Sequence, residues 1–263
     1  MYPRPSIKFI YAYIQRKESV MPKTVLITGA SRGIGRAIAV AFAGAGYRLV
    51  ITCSNSREEL LSLKQELKTQ FHVDVLPSIG DVSSYSYMQQ LFSEITERFG
   101  GVDVLINNAG ISHIGLLSDM TIEDWNRIVS TNLTSVFSSC KLAIPYMVHQ
   151  KAGKIINISS VWGIAGASCE VAYSACKGGV NAFTKALAKE LAPSNIQVNA
   201  VACGAMDTEM NQWMEEEEKN ALLEEIPAGR MGRPWEAADL IYQLCCASSY
   251  LTGQVIALDG GWI

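Results

Sequence analysis

Short apolar runs alternate with amphipathic stretches along almost the whole chain. The runs are rich in Val and Ile and show no strict alternation with polar residues, which is typical of strands buried on both faces of a sheet. The predicted strands are 23–28, 48–53, 73–79, 102–107, 154–159, 196–202 and 254–258. The stretches with helical spacing, which predict helices, are 34–45, 57–69, 84–99, 121–149, 172–192 and 235–247.

This alternation predicts an α/β fold, in which a doubly wound, seven-stranded parallel sheet carries helices on both faces and is joined by right-handed crossovers. No internal repeat or linker interrupts the rhythm, so residues 21–263 are expected to form a single domain. Residues 205–226 fit the rhythm less well. We expect them to form a helical lid over one end of the sheet.

The first twenty residues differ in character from the rest of the chain. They are basic and contain scattered Ile and Tyr, but they lack the clean apolar core and small-residue cleavage site of a signal peptide. The stretch MPKTVLITG at Met21 resembles a natural start. Residues 1–20 are therefore interpreted as an N-terminal arm or as a mis-assigned start.

Composition and charge narrow the possible functions. Apolar residues make up 49% of the 263 residues and charged residues 18%, as in a globular protein. A net charge of −3 gives no general reason to bind nucleic acid or an anionic membrane, and no apolar run approaches the ~20 residues of a membrane span.

The cysteines and histidines point to neither a disulfide framework nor a metal site. The seven cysteines are odd in number and show no CxxC spacing, which predicts free thiols in a reducing compartment and hence a cytoplasmic protein. His72, His113 and His149 have no metal-ligand spacing. No metal is expected.

The stretch TGASRGIG (28–35) follows the first predicted strand and opens the first predicted helix. Its glycines Gly29, Gly33 and Gly35 have no Cβ, so they permit a tight turn and close approach of a pyrophosphate to the helix N-terminus. Ser31 and Ile34 belong to the same loop. The position between strand and helix predicts a dinucleotide site.

The end of the second strand indicates which dinucleotide binds. A site for an unphosphorylated ribose usually has an Asp or Glu there, but this chain reads ITCSNSREE, with Thr52, Cys53 and Ser54 at those positions. Arg32 and Arg57 could face a 2′-phosphate, which favours NADP(H). The alternative for Arg57 is that it only begins a solvated helix face.

The stretch YSACK places Tyr173 and Lys177 four residues apart in a helical pattern, so both side chains emerge on one face. A phenol has a pKa of ~10, and a nearby ammonium is expected to lower it toward neutral pH. Such a tyrosine can donate a proton to a carbonyl oxygen as a hydride arrives. A tyrosine and a lysine at this spacing are common by chance. Whether they form an active site depends on the other motifs in the chain.

Together TGASRGIG, NNAG (107–110), Asn132, Ser160 and YSACK, in this order, resemble the short-chain dehydrogenase/reductase family. The 3-oxoacyl-carrier-protein reductases are the most similar general type. The resemblance implies a Rossmann-type domain that uses NADP(H) to reduce a ketone to a secondary alcohol. It also implies a homo-oligomer, a tetramer or a dimer.

The resemblance assigns roles to the motif residues. Ser160 would hydrogen-bond the substrate carbonyl, Tyr173 would be the acid, Lys177 would also hold the nicotinamide ribose, and Asn132 would anchor a water in a proton relay. With the glycine loop, Ser54 and Arg57, the cofactor-binding set then also includes Asp81, Val82, Asn108, Ala109, Gly110, Tyr173, Lys177, Gly204, Met206 and Thr208.

The usual substrate of this type is an acyl group on the acidic acyl carrier protein, which docks on basic residues. Lys151 matches one such position, but Ser194 stands at the other. The acidic run 215–218 in the lid would repel an acidic partner, although such a run is more often a solvated helix face.

Glu170, three residues before Tyr173, suits a cationic substrate better than an acyl chain. The stretches 159–178 and 108–115 resemble bacterial reductases that act on an aminopentanone group attached to elongation factor P. Predicted substrate contacts are His113, Ser160, Trp162 and Glu170. The structural alternative is that Glu170 caps the coming helix.

A third interpretation comes from another class of protein, a non-catalytic dinucleotide-binding regulator. A decayed site would be free to lose its chemistry, so the complete set of Asn132, Ser160, Tyr173 and Lys177 argues against it.

Overall fold

The computed structural model describes residues 22–211 and 214–263, so the interpretation of residues 1–20 lies outside the described residues. The strands are β1 (Thr24–Ile27), β2 (Arg48–Cys53), β3 (Val75–Ile79), β4 (Val104–Asn107), β5 (Gly153–Ser160), β6 (Ile196–Cys203) and β7 (Val255–Leu258). The α-helices are α1 (Gly33–Gly44), α2 (Arg57–Phe71), α3 (Tyr85–Phe99), α4 (Ile122–Val129), α5 (Ser135–Gln150), α6 (Val171–Leu191), α7 (Glu216–Glu225) and α8 (Pro234–Cys246).

The seven strands form one sheet in the order β3-β2-β1-β4-β5-β6-β7, and every neighbouring pair is parallel. The predicted fold class and the predicted strands are confirmed. Strand order reverses at β1, which pairs with both β2 and β4. In open sheets of this kind ligands bind at the carboxyl ends of the strands beside that reversal.

Successive strand residues supply two separate hydrophobic cores. Val25 and Ile27 of β1 pack in the core with α1, α2 and α8, whereas Leu26 packs on the other face with α3, α5 and α6. Both faces are therefore covered, which explains why the strands are apolar at consecutive positions.

The predicted helix 121–149 is helical from 122 to 150, but a π-helical turn interrupts its α-helical hydrogen bonds. Thr121 caps α4 by accepting a hydrogen bond from the Asp124 backbone N–H, and a π-helical turn at Ser130–Thr134 separates α4 from α5. Short π segments inside helices often mark functional positions. This one carries Asn132.

Residues 205–226 contain a short 3₁₀ turn at Glu209–Asn211 and then α7. The backbone N–H of Glu215 donates to the Glu218 carboxylate at 3.1 Å, which forms a capping box at the start of α7. The acidic run 215–218 thus begins a helix and is exposed, as a solvated face would be. In the described ranges, no helix has the length and apolar character that crossing a membrane requires.

Candidate active site

The glycine loop after β1 is held against the loop after β4. Gly29 has a left-handed φ of 65°, and a Cβ added to it would lie 2.9 Å from the Ala109 Cα. The Asn108 side-chain amide donates to the carbonyl oxygens of Thr28 and Gly29, both at 2.9 Å. Only glycine fits between the two loops, so the close approach predicted for this turn is built into the fold.

Thr28 completes this connection from the other side. Its hydroxyl oxygen accepts hydrogen bonds from the backbone N–H groups of Asn108 and Ala109, both at 3.0 Å. Sequence reasoning treated Thr28 as the end of a strand and missed this role. A threonine at the start of the glycine motif was the available signal.

The N-terminus of α1 opens toward this loop. Arg32 is its N-cap residue and makes no side-chain capping bond, and the first turn has no acidic residue. The first backbone N–H groups of α1 are therefore free to bind an anion, which the positive end of the helix dipole also attracts. This arrangement fits the pyrophosphate of a dinucleotide.

One cavity of about 810 Å³ runs from the glycine loop across the carboxyl ends of the strands. Predicted cofactor residues that line it are Gly29, Ser31, Arg32, Gly33, Ile34, Gly35, Ser54, Val82, Asn108, Ala109, Gly110, Tyr173, Lys177, Gly204, Met206 and Thr208. Predicted substrate residues that line it are Ser160, Trp162 and Glu170. The structure thus brings most of the predicted site together.

Four predicted site residues are not among those that line the cavity, namely Arg57, Asp81, His113 and the buried Asn132. Arg57 begins α2 on an exposed surface, which agrees with its alternative reading as a solvated helix face. Asp81 is exposed and accepts a hydrogen bond from the Ser83 backbone N–H at 2.9 Å. His113 lies between Ser112 and Ile114, which do line the cavity.

Arg32 lines the cavity and already has a partner. Its guanidinium forms an ion pair with the Glu209 carboxylate at 2.8 Å, and both side chains are half or more exposed. Glu209 belongs to residues 205–226, the predicted lid, so the ion pair joins the glycine loop to that segment.

Tyr173 and Lys177 lie on α6, with the Lys177 Nζ atom 5.5 Å from the centre of the Tyr173 ring. The ammonium donates a hydrogen bond to the Ile158 carbonyl oxygen at 2.8 Å, and the lysine is only 4% exposed. An ammonium has three N–H donors, so two others are directed elsewhere. A Cβ added to Gly110 would lie 3.6 Å from this nitrogen, which places the ammonium beside the loop after β4.

Burial governs the charge of both groups. It raises the pKa of Tyr173, an effect that the hydrogen bond with Ser160 opposes and that the charges of Glu170 and Cys203 reinforce. It lowers the pKa of Lys177 to about 8. The expected lowering of the Tyr173 pKa was wrong for this structure, because desolvation outweighs the effects that lower it.

Ser160 ends β5 and points its hydroxyl into the cavity beside Tyr173. Its oxygen accepts a hydrogen bond from the Trp162 backbone N–H at 3.2 Å, which starts a short 3₁₀ turn. The pKa of Tyr173 also reflects a hydrogen bond to this hydroxyl. The predicted serine and tyrosine are therefore direct neighbours.

Asn132 is buried, and both ends of its side-chain amide are occupied. Its Oδ1 accepts from the Ile111 N–H at 2.9 Å, and its Nδ2 donates to the Ile111 carbonyl oxygen at 2.7 Å. The side chain thus fixes the loop after β4 to the π turn.

Glu170 is the N-cap residue of α6 but makes no side-chain capping hydrogen bond. Glu170 therefore holds the capping position that the structural alternative predicts, but without a capping hydrogen bond from its side chain. Burial raises the pKa of its carboxyl, and a hydrogen bond from the Trp162 side chain opposes that shift. The preceding residue, Cys169, has a left-handed φ of 62°, and its carbonyl accepts a hydrogen bond from the Gly115 N–H at 2.9 Å.

Several lining residues were missed by sequence reasoning because they come from the lid and the C-terminal tail. They are Glu209, Met210, Asn211, Met214, Leu222, Glu225 and Trp262. A tail tryptophan after two glycines was the only local signal, and its partner residues are distant in sequence.

Lys151 and Ser194 do not lie beside this cavity. Both precede the amino ends of strands, Lys151 before β5 and Ser194 before β6, and Asn195 donates a hydrogen bond to the Lys151 carbonyl oxygen at 3.0 Å. The cavity is at the carboxyl ends, one strand length away. A strand of this size spans roughly 25 Å. Lys151 is therefore not at the entrance of this chain's own cavity.

Comparison with known proteins places the chain in a large family. The short chain dehydrogenase family matches residues 23–219. The chain is 42% identical over 242 residues to the 3-oxoacyl-[acyl-carrier-protein] reductase FabG of Thermotoga maritima, covering 92% of this chain and 98% of that protein. It is 40% identical over 243 residues to the uncharacterized oxidoreductase YmfI of Bacillus subtilis, covering 92% and 99%.

Solved structures give the same picture. A putative gluconate dehydrogenase from Agrobacterium tumefaciens superposes with a TM-score of 0.87 at 35% identity, covering 91% of this chain and 95% of that one. YwfH, an NADPH dependent reductase involved in bacilysin biosynthesis, superposes with a TM-score of 0.86 at 27% identity, covering 92% and 98%.

Proposed function

The chain belongs to the short-chain dehydrogenase family and is an oxidoreductase, and from this we propose that it uses NADPH to reduce a ketone to a secondary alcohol. The main support for the proposal is that the glycine loop, Ser160, Tyr173 and Lys177 line the same cavity.

A nicotinamide dinucleotide, when bound, supplies the hydride that the carbonyl carbon accepts. The protein's part is to hold the carbonyl and to deliver a proton. The Ser160 hydroxyl donates a hydrogen bond to the carbonyl oxygen, and the Tyr173 hydroxyl gives that oxygen its proton as negative charge develops. The raised pKa of Tyr173 keeps the phenol protonated before the reaction, as a proton donor must be.

Lys177 assists by position and charge. Its ammonium is buried within reach of the Tyr173 ring, so it stabilises the phenolate that proton donation leaves behind. Its remaining N–H donors suit the ribose hydroxyls of the cofactor. Asn132 acts as a positioning residue, because its side chain fixes the Ile111 backbone beside Gly110.

The choice of NADPH rests on two features. The end of β2 offers Cys53 and Ser54 to the cavity where a ribose-binding acid would stand, and Arg32 lies on the same side. A guanidinium is the preferred protein group for a phosphate. The related structure named as an NADPH dependent reductase supports the same choice.

Two substrate classes remain open to this site. The first is a 3-oxoacyl thioester on acyl carrier protein, which is the substrate in the name of the Thermotoga maritima relative. The second is a ketone that bears an amine, such as an aminopentanone group on elongation factor P. Glu170 favours the second, because its half-buried carboxylate lines the cavity and makes no side-chain capping hydrogen bond.

The test compares NADPH oxidation with an acetoacetyl thioester and with an amine-bearing ketone, each repeated with Glu170→Gln. Reduction of either ketone supports a reductase. Selective loss of the amine-bearing ketone in Glu170→Gln supports the second substrate class, and equal rates would remove Glu170 from substrate recognition.

The rival function, a dinucleotide-binding regulator, makes a different prediction in the same experiment. It requires NADPH binding without oxidation by any ketone in the panel. That result would overturn the proposal of a reductase.

A further inference from the structure

Tyr173, Lys177 and Asn181 recur at four-residue intervals along α6, so their side chains lie on one face of the helix. Asn181 is buried and is not among the residues that line the cavity. Its Nδ2 donates a hydrogen bond to the Gly163 carbonyl oxygen at 2.9 Å. This bond joins the helix to the 3₁₀ turn Val161–Gly163, which follows β5.

The 3₁₀ turn Val161–Gly163 in turn holds the hydroxyl of Ser160. The Trp162 backbone N–H donates to the Ser160 Oγ at 3.2 Å, and Ser160 is the N-cap residue of the turn. Asn181 bonds the next residue of the same turn. A shift of this turn relative to α6 would therefore move Ser160 away from the Tyr173 hydroxyl that it bonds.

The turn and the helix are in direct contact at Lys177. A Cβ added to Gly163 would lie 2.6 Å from the Lys177 carbonyl carbon, so only glycine fits there. The Ser159 hydroxyl donates to the Lys177 carbonyl oxygen at 3.3 Å. Farther along, the Ala167 N–H donates to the Ser174 Oγ at 3.1 Å. The segment between β5 and α6 is thus attached to the helix at both of its ends.

Packing alone does not explain an asparagine at position 181. The Asn181 Oδ1 is buried and has no hydrogen-bond partner in the part of the chain that the structure describes. An unpaired buried acceptor lowers stability, and leucine has the same branching without that oxygen. Asn199 of β6 is also buried, but its side chain donates to the Leu251 carbonyl and accepts from the Gln254 N–H, both at 3.0 Å. The contribution of Asn181 is therefore its one bond to Gly163.

We propose that Asn181 is a positioning residue for the reaction, which acts through Gly163 to hold the Ser160 hydroxyl against Tyr173. This inference rests on the proposed ketone reduction, because that reaction gives Ser160 and Tyr173 their roles. The Asn181 amide fixes the turn that follows β5 to the helix that carries the proton donor.

The first measurement is kcat of Asn181→Ala for the ketone that wild-type protein reduces fastest. We expect a fall of about 3- to 30-fold, less than the roughly 100-fold that a misplacement of about 1 Å can cost, because Ser159 and Ser174 still hold the segment. Asn199→Ala is the matched control. It removes two buried hydrogen bonds, so it should lower Tm more than Asn181→Ala does and leave kcat unchanged. Equal values of kcat in the two variants would overturn the inference.

The second measurement tests the route through Ser160. Asn181→Ala is combined with Ser160→Ala, which removes the hydroxyl that Asn181 is proposed to hold. Two residues that act through one contact are not additive, so in this background Asn181→Ala should change kcat by less than about 2-fold. An equal loss in both backgrounds would mean that Asn181 supports α6 by another contact, which contradicts the inference.

Asn181→Leu is a second variant, because leucine keeps the branching of asparagine at Cγ and leaves no cavity. It removes the bond to Gly163 and the unpaired oxygen together. We expect the same fall in kcat as in Asn181→Ala. A wild-type kcat in Asn181→Leu would show that the volume of this side chain, and not its hydrogen bond, is what the site requires.

Hydrogen exchange in residues 161–167 gives a readout that needs no turnover. Three backbone N–H groups of this segment donate to carbonyl oxygens within it, at 2.9–3.0 Å, so they exchange slowly while the turn is held. Asn181→Ala should speed their exchange, and Asn199→Ala should not. This result decides if wild-type protein reduces no ketone, or if Ser160→Ala is too slow to measure. Faster exchange then supports the inference even where the reductase proposal fails, and unchanged exchange overturns it.

Discussion

At the scale of single residues, one cause acts in opposite directions on the two groups that handle the proton. Burial disfavours charge, so it raises the pKa of Tyr173 and lowers that of Lys177 to about 8. In free solution the lysine value is 10.5. The site therefore keeps the Tyr173 phenol protonated and disfavours the charged form of Lys177. Both conditions suit a proton donor, Tyr173, that becomes negative only during the reaction.

Because burial disfavours the charged Lys177, we predict that Lys177→Met stabilises the fold at neutral pH. Between pH 8 and 10.5 the unfolded chain binds more protons than the folded one, so wild-type stability rises with pH across this window. Below pH 8 Lys177 is protonated in both the folded and the unfolded state, so the folded state bears the full free-energy cost of burying its charge. The variant should gain about 1–3 kcal/mol at pH 7 and progressively less toward pH 10.

Urea unfolding at pH 7 and at pH 10 measures this gain, with Lys185→Met as control because Lys185 is exposed on the same helix. A gain that is equal at both pH values would show that packing, and not charge, is responsible.

The ion pair between Arg32 and Glu209 predicts an effect on cofactor affinity. Glu209 competes with a 2′-phosphate for the guanidinium, so Glu209→Gln should tighten NADPH binding by up to about 5-fold, the value of one exposed ion pair. NADH, which lacks that phosphate, should bind as before. Fluorescence titration of both cofactors checks this, with Glu217→Gln on the lid as control. Equal tightening of both cofactors would argue against competition.

At the scale of elements, the site depends on how α6 is fixed to the sheet. Asn107 of β4 donates to the Asn157 side chain at 2.8 Å, and Asn157 of β5 donates to the Thr184 hydroxyl of α6 at 2.8 Å. Ser139 of α5 donates to Asn107 at 2.6 Å. This buried network joins β4, β5, α5 and the helix that carries Tyr173 and Lys177, α6. Each of these side chains has a hydrogen-bond partner in it.

Removal of the central amide predicts a loss of stability and of positioning. Asn157→Ala leaves the Asn107 amide and the Thr184 hydroxyl without their buried partner, which costs about 1–3 kcal/mol. We expect kcat to fall, because α6 carries Tyr173 and Lys177. Thermal unfolding and steady-state rates measure both effects, and Asn220→Ala on the exposed α7 surface is the control. A fully stable variant would contradict the role of the network.

The elements also show what could be predicted from the sequence. The strands were found because each is a local apolar run, and the glycine loop and the YSACK helix because their spacing is local too. The π turn at Ser130–Thr134 escaped detection because its Asn132 is held by the backbone of Ile111, which is distant in sequence. Trp262 and Glu225 escaped because their contact exists only once the tail has folded back.

At the scale of the whole molecule, the described chain leaves large apolar side chains on its surface. Ile122 and Leu116 lie near the start of α4, and Phe137 of α5 is 48% exposed. We expect these side chains to belong to the contact surface of the predicted homo-oligomer.

This surface predicts that Phe137→Glu weakens self-association. Light scattering should give a wild-type mass that is a multiple of 28.6 kDa, and the variant should shift toward the single-chain mass. Tyr250→Glu is the control, because Tyr250 is 96% exposed on the segment before β7 and away from α5. A wild-type protein that scatters as a single chain would reject the expectation.

The most direct test of the central claim is single-turnover oxidation of bound NADPH by a ketone in wild-type protein and in Tyr173→Phe. If Tyr173 donates the proton, the variant should bind NADPH as tightly as wild type but oxidise it at least about 100-fold more slowly, since only the hydroxyl is lost. A variant that oxidises NADPH at the wild-type rate would contradict the assignment of Tyr173 as the proton donor.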